Sequence, residues 1–255
     1  MQPIDKVFEK GTLNFAHRGF TAEAPENSLA AFKAAMDLGV DGIEFDVRTC
    51  RSGELVVFHD PTLSRMTNGR GFVKNKTLEE LKQLRLKNKR DLTVETIPTL
   101  EEVLDLVQGK LILNVEIKNK GLPKDHIEQK VVDVLQRYGL KYKTILSSFN
   151  PIVIRRLKKI DPNLITGLLL DKNFTVRLSE IPLSRFSGAK AIHLEQSLAR
   201  PRILRKIQNL GFYCVVWNVN DAQEMERLIQ TGVQVIITDK PDLLKKVQSR
   251  LLQYV

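Results

Sequence analysis

Short apolar runs alternate with segments of helical periodicity along nearly the whole chain. Runs rich in β-branched and other apolar residues predict strands at 13–16, 42–47, 55–58, 111–117, 144–149, 165–170, 191–194, 213–219 and 233–238. Between them, apolar positions recurring at i, i+3 and i+4 predict amphipathic helices within 27–39, 77–84, 99–109, 125–139, 151–161, 200–211, 221–232 and 240–253. Asn27, Thr77, Thr99, Asn150 and Asp221 are expected to open such helices, and Gly39, Gly109, Gly139, Gly211 and Gly232 to close them.

Strand–helix alternation implies a parallel sheet, yet nine strands is one too many for an eight-fold barrel. The run at 55–58 settles the count. Residues 48–54 are too few for a parallel crossover, which needs about a dozen, so this run must return antiparallel to 42–47. A turn centred near Ser52–Gly53 pairs residues whose numbers sum to roughly 105, which brings His59 back opposite the level of Phe45 and Asp46. Eight parallel strands remain, and the expected fold is α/β, a (βα)8 TIM barrel with an antiparallel hairpin after strand 2. A doubly wound open sheet is disfavoured because "AHRGFTAEAPENS" after the first strand lacks a G-x-G-x-x-G turn. Residues 60–98 form the one long irregular stretch, expected as a small insertion over the C-terminal mouth. No repeat or linker divides the chain, so 1–255 is expected as one domain.

Composition adds limits. The chain has 255 residues, 42% of them apolar, enough for a large core. Its formal charge is +10, but the cations fall mostly on polar helix faces. Without a stacking platform or motif this does not amount to a nucleic-acid site, and none is expected. No apolar run reaches the length of a membrane span, and "MQPIDKVFEKG" has no signal-peptide pattern. Cys50 and Cys214 lack metal spacing and are expected as buried thiols in a cytoplasmic protein. Peripheral membrane contact and oligomeric state are left open.

Candidate chemistry gathers where a (βα)8 barrel keeps it, at the C-terminal strand ends. Strand 1 ends in His17 and Arg18. Strand 2 carries Glu44 and Asp46 on one face, and strand 4 carries Asn114, Glu116 and Lys118 on one face. Trp217 lies near the end of a late strand. Three carboxylates at one mouth repel each other unless a cation joins them, and an all-oxygen ligand set favours Ca²⁺ or Mg²⁺ over zinc. His193, followed by Glu195, is a reserve candidate, and His126 is expected at the surface.

At this point the chain resembles the glycerophosphodiester phosphodiesterase family. The resemblance rests on "AHRGFTAEAPENSLAAFKAAMDLGVDGIEFDVRTCRSGELVVFHDPTLSRMTNGRG", then "TLEELKQL", "IPTLEEVL", "NVEIK", "SSF" and "VWNVN", in that order. It implies a barrel that hydrolyses glycerophosphodiesters, with His17 and His59 as the acid/base pair and Glu44, Asp46 and Glu116 as ligands of a divalent metal. It further implies phosphate contacts from Arg18 and Lys118 and a substrate wall at Trp217. Ser28 and Asn218 stand where the family often has Thr. The chemistry is consistent: diester cleavage needs charge neutralised on nonbridging oxygens, an activated nucleophile and a protonated leaving group. On this scheme His17 is the base and His59 protonates the departing alcohol.

Two rivals keep the site and change its use. A lysophospholipase D would need an apolar groove, for which Phe20, Phe149, Phe174 and Trp217 are available. A catalytically silent barrel would bind phosphodiesters without turnover. The headgroup alcohol and the choice between water attack and a cyclic phosphate are not written in the residues.

Overall fold

A computed structural model describes residue 8 and residues 11–87, 94–119, 126–172 and 187–253. The strands are β1 (Leu13–His17), β2 (Gly42–Thr49), β3 (Leu55–Val57), β4 (Ile112–Ile117), β5 (Thr144–Ser148), β6 (Ile165–Leu170), β7 (Ala191–Glu195), β8 (Tyr213–Trp217) and β9 (Val235–Thr238). The helices are α1 (Leu29–Leu38), α2 (Leu78–Lys82), α3 (Leu100–Val107), α4 (Ile127–Arg137), α5 (Pro151–Ile160), α6 (Pro201–Asn209), α7 (Ala222–Gln230) and α8 (Pro241–Leu252). Among the described residues, no helix is long and apolar enough to cross a membrane.

All strands but β3 are parallel to their neighbours, and pairing of β1 with both β9 and β2 closes them into a barrel. The expected (βα)8 architecture is therefore the observed one. β2 outruns the barrel, and its last residues pair antiparallel with β3: Val47 with Val57, Arg48 with Val56 and Thr49 with Leu55. Those pairs sum to 104, one less than the turn-centred expectation, and the extension of the ladder past Phe58 is kept by its N–H bond to the Asp46 carbonyl at 2.9 Å.

Alternation along each strand separates two cores. Leu13, Phe15, Ile145, Ile165, Ala191, Val215, Val235 and Ile237 point inward and plug the barrel together with Phe8. Residues of opposite parity, among them Phe45, Val47, Val115 and Leu146, pack outward against the buried stripes of the helices, such as Leu104, Val131 and Leu157. Each such Leu, Ile or Phe contributes roughly 1.5–3 kcal/mol by leaving water, so a one-residue slip of β2 would cost the Phe45–Val47 face and expose its charged face to the helices. A third cluster, Val56, Phe58, Leu63, Val73, Leu81, Leu86 and Ile97 with Cys50, lies under the segment after β3. Both cysteines are buried free thiols, as expected.

Thr77 and Thr99 form capping boxes with Glu80 and Glu102, and Asn150 and Asp221 cap their helices. Asn27 does not cap α1. Ser28 does, accepting from the Ala31 N–H at 3.1 Å. Asn27 instead donates its amide to the buried Asp46 carboxylate at 2.9 Å, because a buried carboxylate without donors is costlier than an uncapped helix whose next residue has a hydroxyl.

Two glycines are required by close approach. Gly19 (φ 87°) lies where a Cβ would sit 2.7 Å from Ala31, so only glycine lets the loop after β1 touch α1. Gly167 faces the barrel interior, where a Cβ would meet His193 Nε2 at 2.2 Å. Gly167→Ala is expected to cost on the order of 1–3 kcal/mol by overpacking, lowering Tm by roughly 2–4 °C for each. Calorimetry checks this; an unchanged Tm would mean the imidazole has room to move.

Candidate active site

The register aligns the ionisable residues. His17 pairs with Glu44, Glu44 with Asn114, and Asp46 with Glu116, so side chains of like parity from β1, β2 and β4 enter the mouth at neighbouring levels. The chain then leaves β1 through left-handed Arg18 (φ 56°) and returns through left-handed Asn27 (φ 58°). Such conformations cost on the order of 1 kcal/mol or more each. Here the Arg18 N–H bonds the Glu44 carbonyl at 2.8 Å and the Arg18 carbonyl accepts from the Asn27 N–H at 2.9 Å. The strain is thus held by the strand whose carboxylates it surrounds.

Glu44, Asp46 and Glu116 are buried, and one oxygen from each lies within 4.8 Å of the others. Lys118 Nζ stands between two of them, 2.6 Å from Glu116 and 3.0 Å from Asp46. Arg18 Nε is 3.4 Å from Asp46 on the other side. Burial works against ionising Asp46, but Lys118 and Arg18 prevail and hold its pKa far below the usual range. Burial, then the Asp46 and Glu116 charges, push Glu44 well up. Glu116 is also raised, by burial and by Asp46, against the pull of Lys118. Two cations therefore do not neutralise three carboxylates, and Glu44 Oε2 is buried without a hydrogen-bond partner. An all-oxygen set with an orphaned oxygen and residual negative charge fits a hard divalent cation.

Each mouth histidine is backed by a carboxylate. His17 Nδ1 lies 2.7 Å from Asp239 Oδ1, while Asp239 Oδ2 accepts from Asn218 at 2.6 Å and Asn220 at 2.7 Å. His59 Nδ1 lies 2.7 Å from Asp60 Oδ1, and the His59 carbonyl accepts from Arg48 Nε at 3.0 Å. A carboxylate only accepts, so each Nδ1 carries the proton and each Nε2 is left to do chemistry. Burial opposes ionisation of Asp60, but hydrogen bonds from Arg65 and His59 win and lower its pKa to about 2. Burial, partly offset by Asp46 and joined by Lys118 and Arg18, lowers the pKa of His59.

His17, Arg18, Glu44, His59, Lys118 and Trp217 bound one chamber of about 120 Å³. A larger recess of about 540 Å³ opens on the His17 side, past Glu26, Arg65 and Asp239, and another of about 310 Å³ on the His59 side, past Pro61 and Phe149. Trp217 donates its indole N–H to the His193 carbonyl at 3.2 Å and meets the Phe149 ring edge-on at 5.7 Å. All of the sequence-predicted site residues thus come together at one mouth.

The other histidines do not join them. His126 is exposed at the start of α4. His193 is fully buried with neither ring nitrogen hydrogen-bonded, and burial depresses its pKa to about 3. Glu195 accepts from the Lys172 N–H and the Ser197 hydroxyl outside the chamber. Phe20 is half-buried against the helix layer and Phe174 lies outside the described residues. Asp239 was missed from sequence; its signal was its place just past the last barrel strand, in "IITDKP". Arg65, from the turn "LSRMT", was missed as well.

Two imidazoles with free Nε2 atoms, two cations and three carboxylates around one small chamber can move protons on either side of a phosphodiester. Residues 17–243 match the Glycerophosphoryl diester phosphodiesterase family. A glycerophosphodiester phosphodiesterase of Caldanaerobacter subterraneus is 39% identical over 236 residues, covering 91% of this chain and 96% of that one. One from Bacillus altitudinis is 32% identical over 255 residues, covering 93% and 98%. Among solved structures, an Oleispira antarctica phosphodiesterase in complex with the product sn-glycerol-3-phosphate superposes with a TM-score of 0.87 at 27% identity, covering 95% of this chain and 99% of that one.

Proposed function

The chain belongs to the glycerophosphoryl diester phosphodiesterase family, and we propose that it cleaves small glycerophosphodiesters to sn-glycerol 3-phosphate and an alcohol, with His17 as base and His59 as acid. Glycerophosphodiester phosphodiesterase activity, a hydrolase activity, follows from the family and its relatives. The two-histidine scheme is carried by one observation: two carboxylate-backed imidazoles border a single chamber beside three buried carboxylates.

Asp239 keeps the His17 proton on Nδ1, so Nε2 can take the proton of the attacking hydroxyl as its oxygen bonds to phosphorus. The P–O bond to the alcohol breaks, its electron pair stays on oxygen, and that oxygen takes the Nε2 proton of His59, which enters the step as the imidazolium with its Nδ1–H held by Asp60. Arg18 and Lys118 bring positive charge to the nonbridging oxygens, and Trp217 forms a flat wall against the glycerol or alcohol carbons. Glu44, Asp46 and Glu116 would hold Ca²⁺ or Mg²⁺. When bound, such an ion supplies charge neutralisation on the phosphoryl oxygens. Residues 1–255 are taken as one domain, with about 60–98, of which 88–93 lie outside the described residues, as a small insertion over the C-terminal mouth.

A chelator-and-add-back assay on a panel of glycerophosphodiesters and lysolipids tests this, following glycerol phosphate and free alcohol. Chelation is expected to lower turnover at least tenfold, on the order of a lost electrostatic contact to the transition state, with recovery on adding Ca²⁺ or Mg²⁺. Turnover indifferent to chelation removes the metal from the proposal. Release of glycerol and a phosphoalcohol removes the assigned bond cleavage, and preference for lysolipids gives the site to the lysophospholipase D rival.

A further inference from the structure

Arg65 has no place in the scheme above, yet its guanidinium spends its donors on two carboxylates of the mouth. Its Nη atoms donate to both oxygens of Glu26, at 2.6 and 2.9 Å, and its Nε donates to Asp60 Oδ2 at 2.5 Å. Glu26 Oε1 also accepts from Arg18 Nη1 at 2.9 Å. The result is a continuous chain of charge, Asp46–Arg18–Glu26–Arg65–Asp60–His59, running from the buried carboxylates around the rim to the acid histidine.

We propose that Arg65 is a positioning residue for His59: by bridging Glu26 and Asp60 it fixes the carboxylate that orients the imidazole, and so aims Nε2 at the leaving oxygen. This rests on the assignment of His59 as the acid. Asp60 follows His59 directly, at a bend after β3, with a single rotatable carboxylate to hold the ring. One of its oxygens takes the imidazole N–H; Arg65 occupies the other and stops the carboxylate turning towards solvent. Arg65 itself is anchored from below. It rides a tight turn in which the Thr67 N–H and hydroxyl both bond the Leu63 carbonyl, and Leu63 is fully buried in the core beneath the segment. The planar fork matters, since only a guanidinium presents donors in fixed directions to two carboxylates at once. The side chain is 45% exposed, so the network contributes geometry more than stability.

The test compares two diesters. Glycerophosphocholine releases an alkoxide-forming alcohol that needs a proton; glycerophospho-p-nitrophenol releases a phenolate that does not. R65M is expected to lower kcat on glycerophosphocholine by roughly 10–100-fold, the usual scale for losing an orienting partner, with KM little changed. On the nitrophenyl ester its loss should stay within about threefold, the size of a contact outside the reacting atoms. R65K, which keeps charge but reaches one carboxylate, should recover part of the loss. In a D60N background R65M should add little further loss. Equal losses on both esters, or full additivity with D60N, overturn the proposal, as does unaltered turnover on both. His59→Ala separates the two levels. If it shows the leaving-group dependence and R65M does not, the positioning role alone fails. If it loses equally on both esters, the acid assignment fails, and the aiming of Nε2 at the leaving oxygen falls with it.

Discussion

His17→Ala and His59→Ala are each expected to lower kcat for glycerophosphodiester hydrolysis by about 10²–10⁴-fold, in protein that is folded and melts close to wild type. The two expectations have different grounds. On the proposed scheme the rate falls because each imidazole moves a proton, its Nδ1 tied to a carboxylate and its Nε2 left for the substrate. Stability holds because neither ring belongs to a core: His17 and His59 are 17% and 31% exposed. Asp239 would keep Asn218 and Asn220 as donors, and Asp60 would keep Arg65. Steady-state kinetics beside a thermal melt checks both halves. Losses under tenfold for both variants would sink the two-histidine scheme, because bound water cannot replace both groups.

The second large effect is thermodynamic and comes from a buried histidine outside the chamber. His193 is fully buried and burial alone depresses its pKa to about 3, against an ordinary 6.5. Below pH 6.5 the unfolded chain therefore binds a proton that the folded chain refuses. Stability is full above that pH and is lost as pH falls towards 3, at up to about 1.4 kcal/mol per pH unit. Other groups titrate in the same range, the Glu44–Asp46–Glu116 set among them, so the informative quantity is a difference. Urea denaturation of wild type and His193→Asn, in chelator, between pH 6 and 4, should show the wild-type slope steeper by roughly that amount. Parallel slopes would mean that the folded barrel admits the proton after all, through water beside Gly167 and His193.

Much of the fold was legible because it is local. Strand positions follow apolar runs, caps at Thr77, Thr99, Asn150 and Asp221 follow hydroxyl, amide or carboxylate side chains before apolar periods, and the hairpin follows from a turn too short to cross over. The mouth was legible because parity on β2 and β4 is a period of two. What stayed hidden is long-range. Asp239 lies 222 positions from His17, and nothing near either residue announces the other. Asn27 reads as a helix cap until Asp46, 19 positions on, is seen to need its amide. Arg65 sits among ordinary turn residues, and only the folded chain shows Glu26 and Asp60 on either side of it. Polar partners of this kind have no periodicity; they are fixed by geometry once the apolar pattern has folded.

The small cluster beneath the segment after β3 has a consequence for how the protein fails. Proteins open in cooperative units whose free energies scale with what each unit buries. Leu63, Val73, Leu81, Leu86 and Ile97 make a unit apart from the barrel plug and from the helix layer. Phe58 belongs to it, directly before His59, and Leu63 carries the turn that presents Arg65. Opening this unit is expected to release His59 while the barrel strands remain paired. Working life under heat or denaturant is then expected to follow the smallest of the three clusters among the described residues, with activity lost before the barrel unfolds.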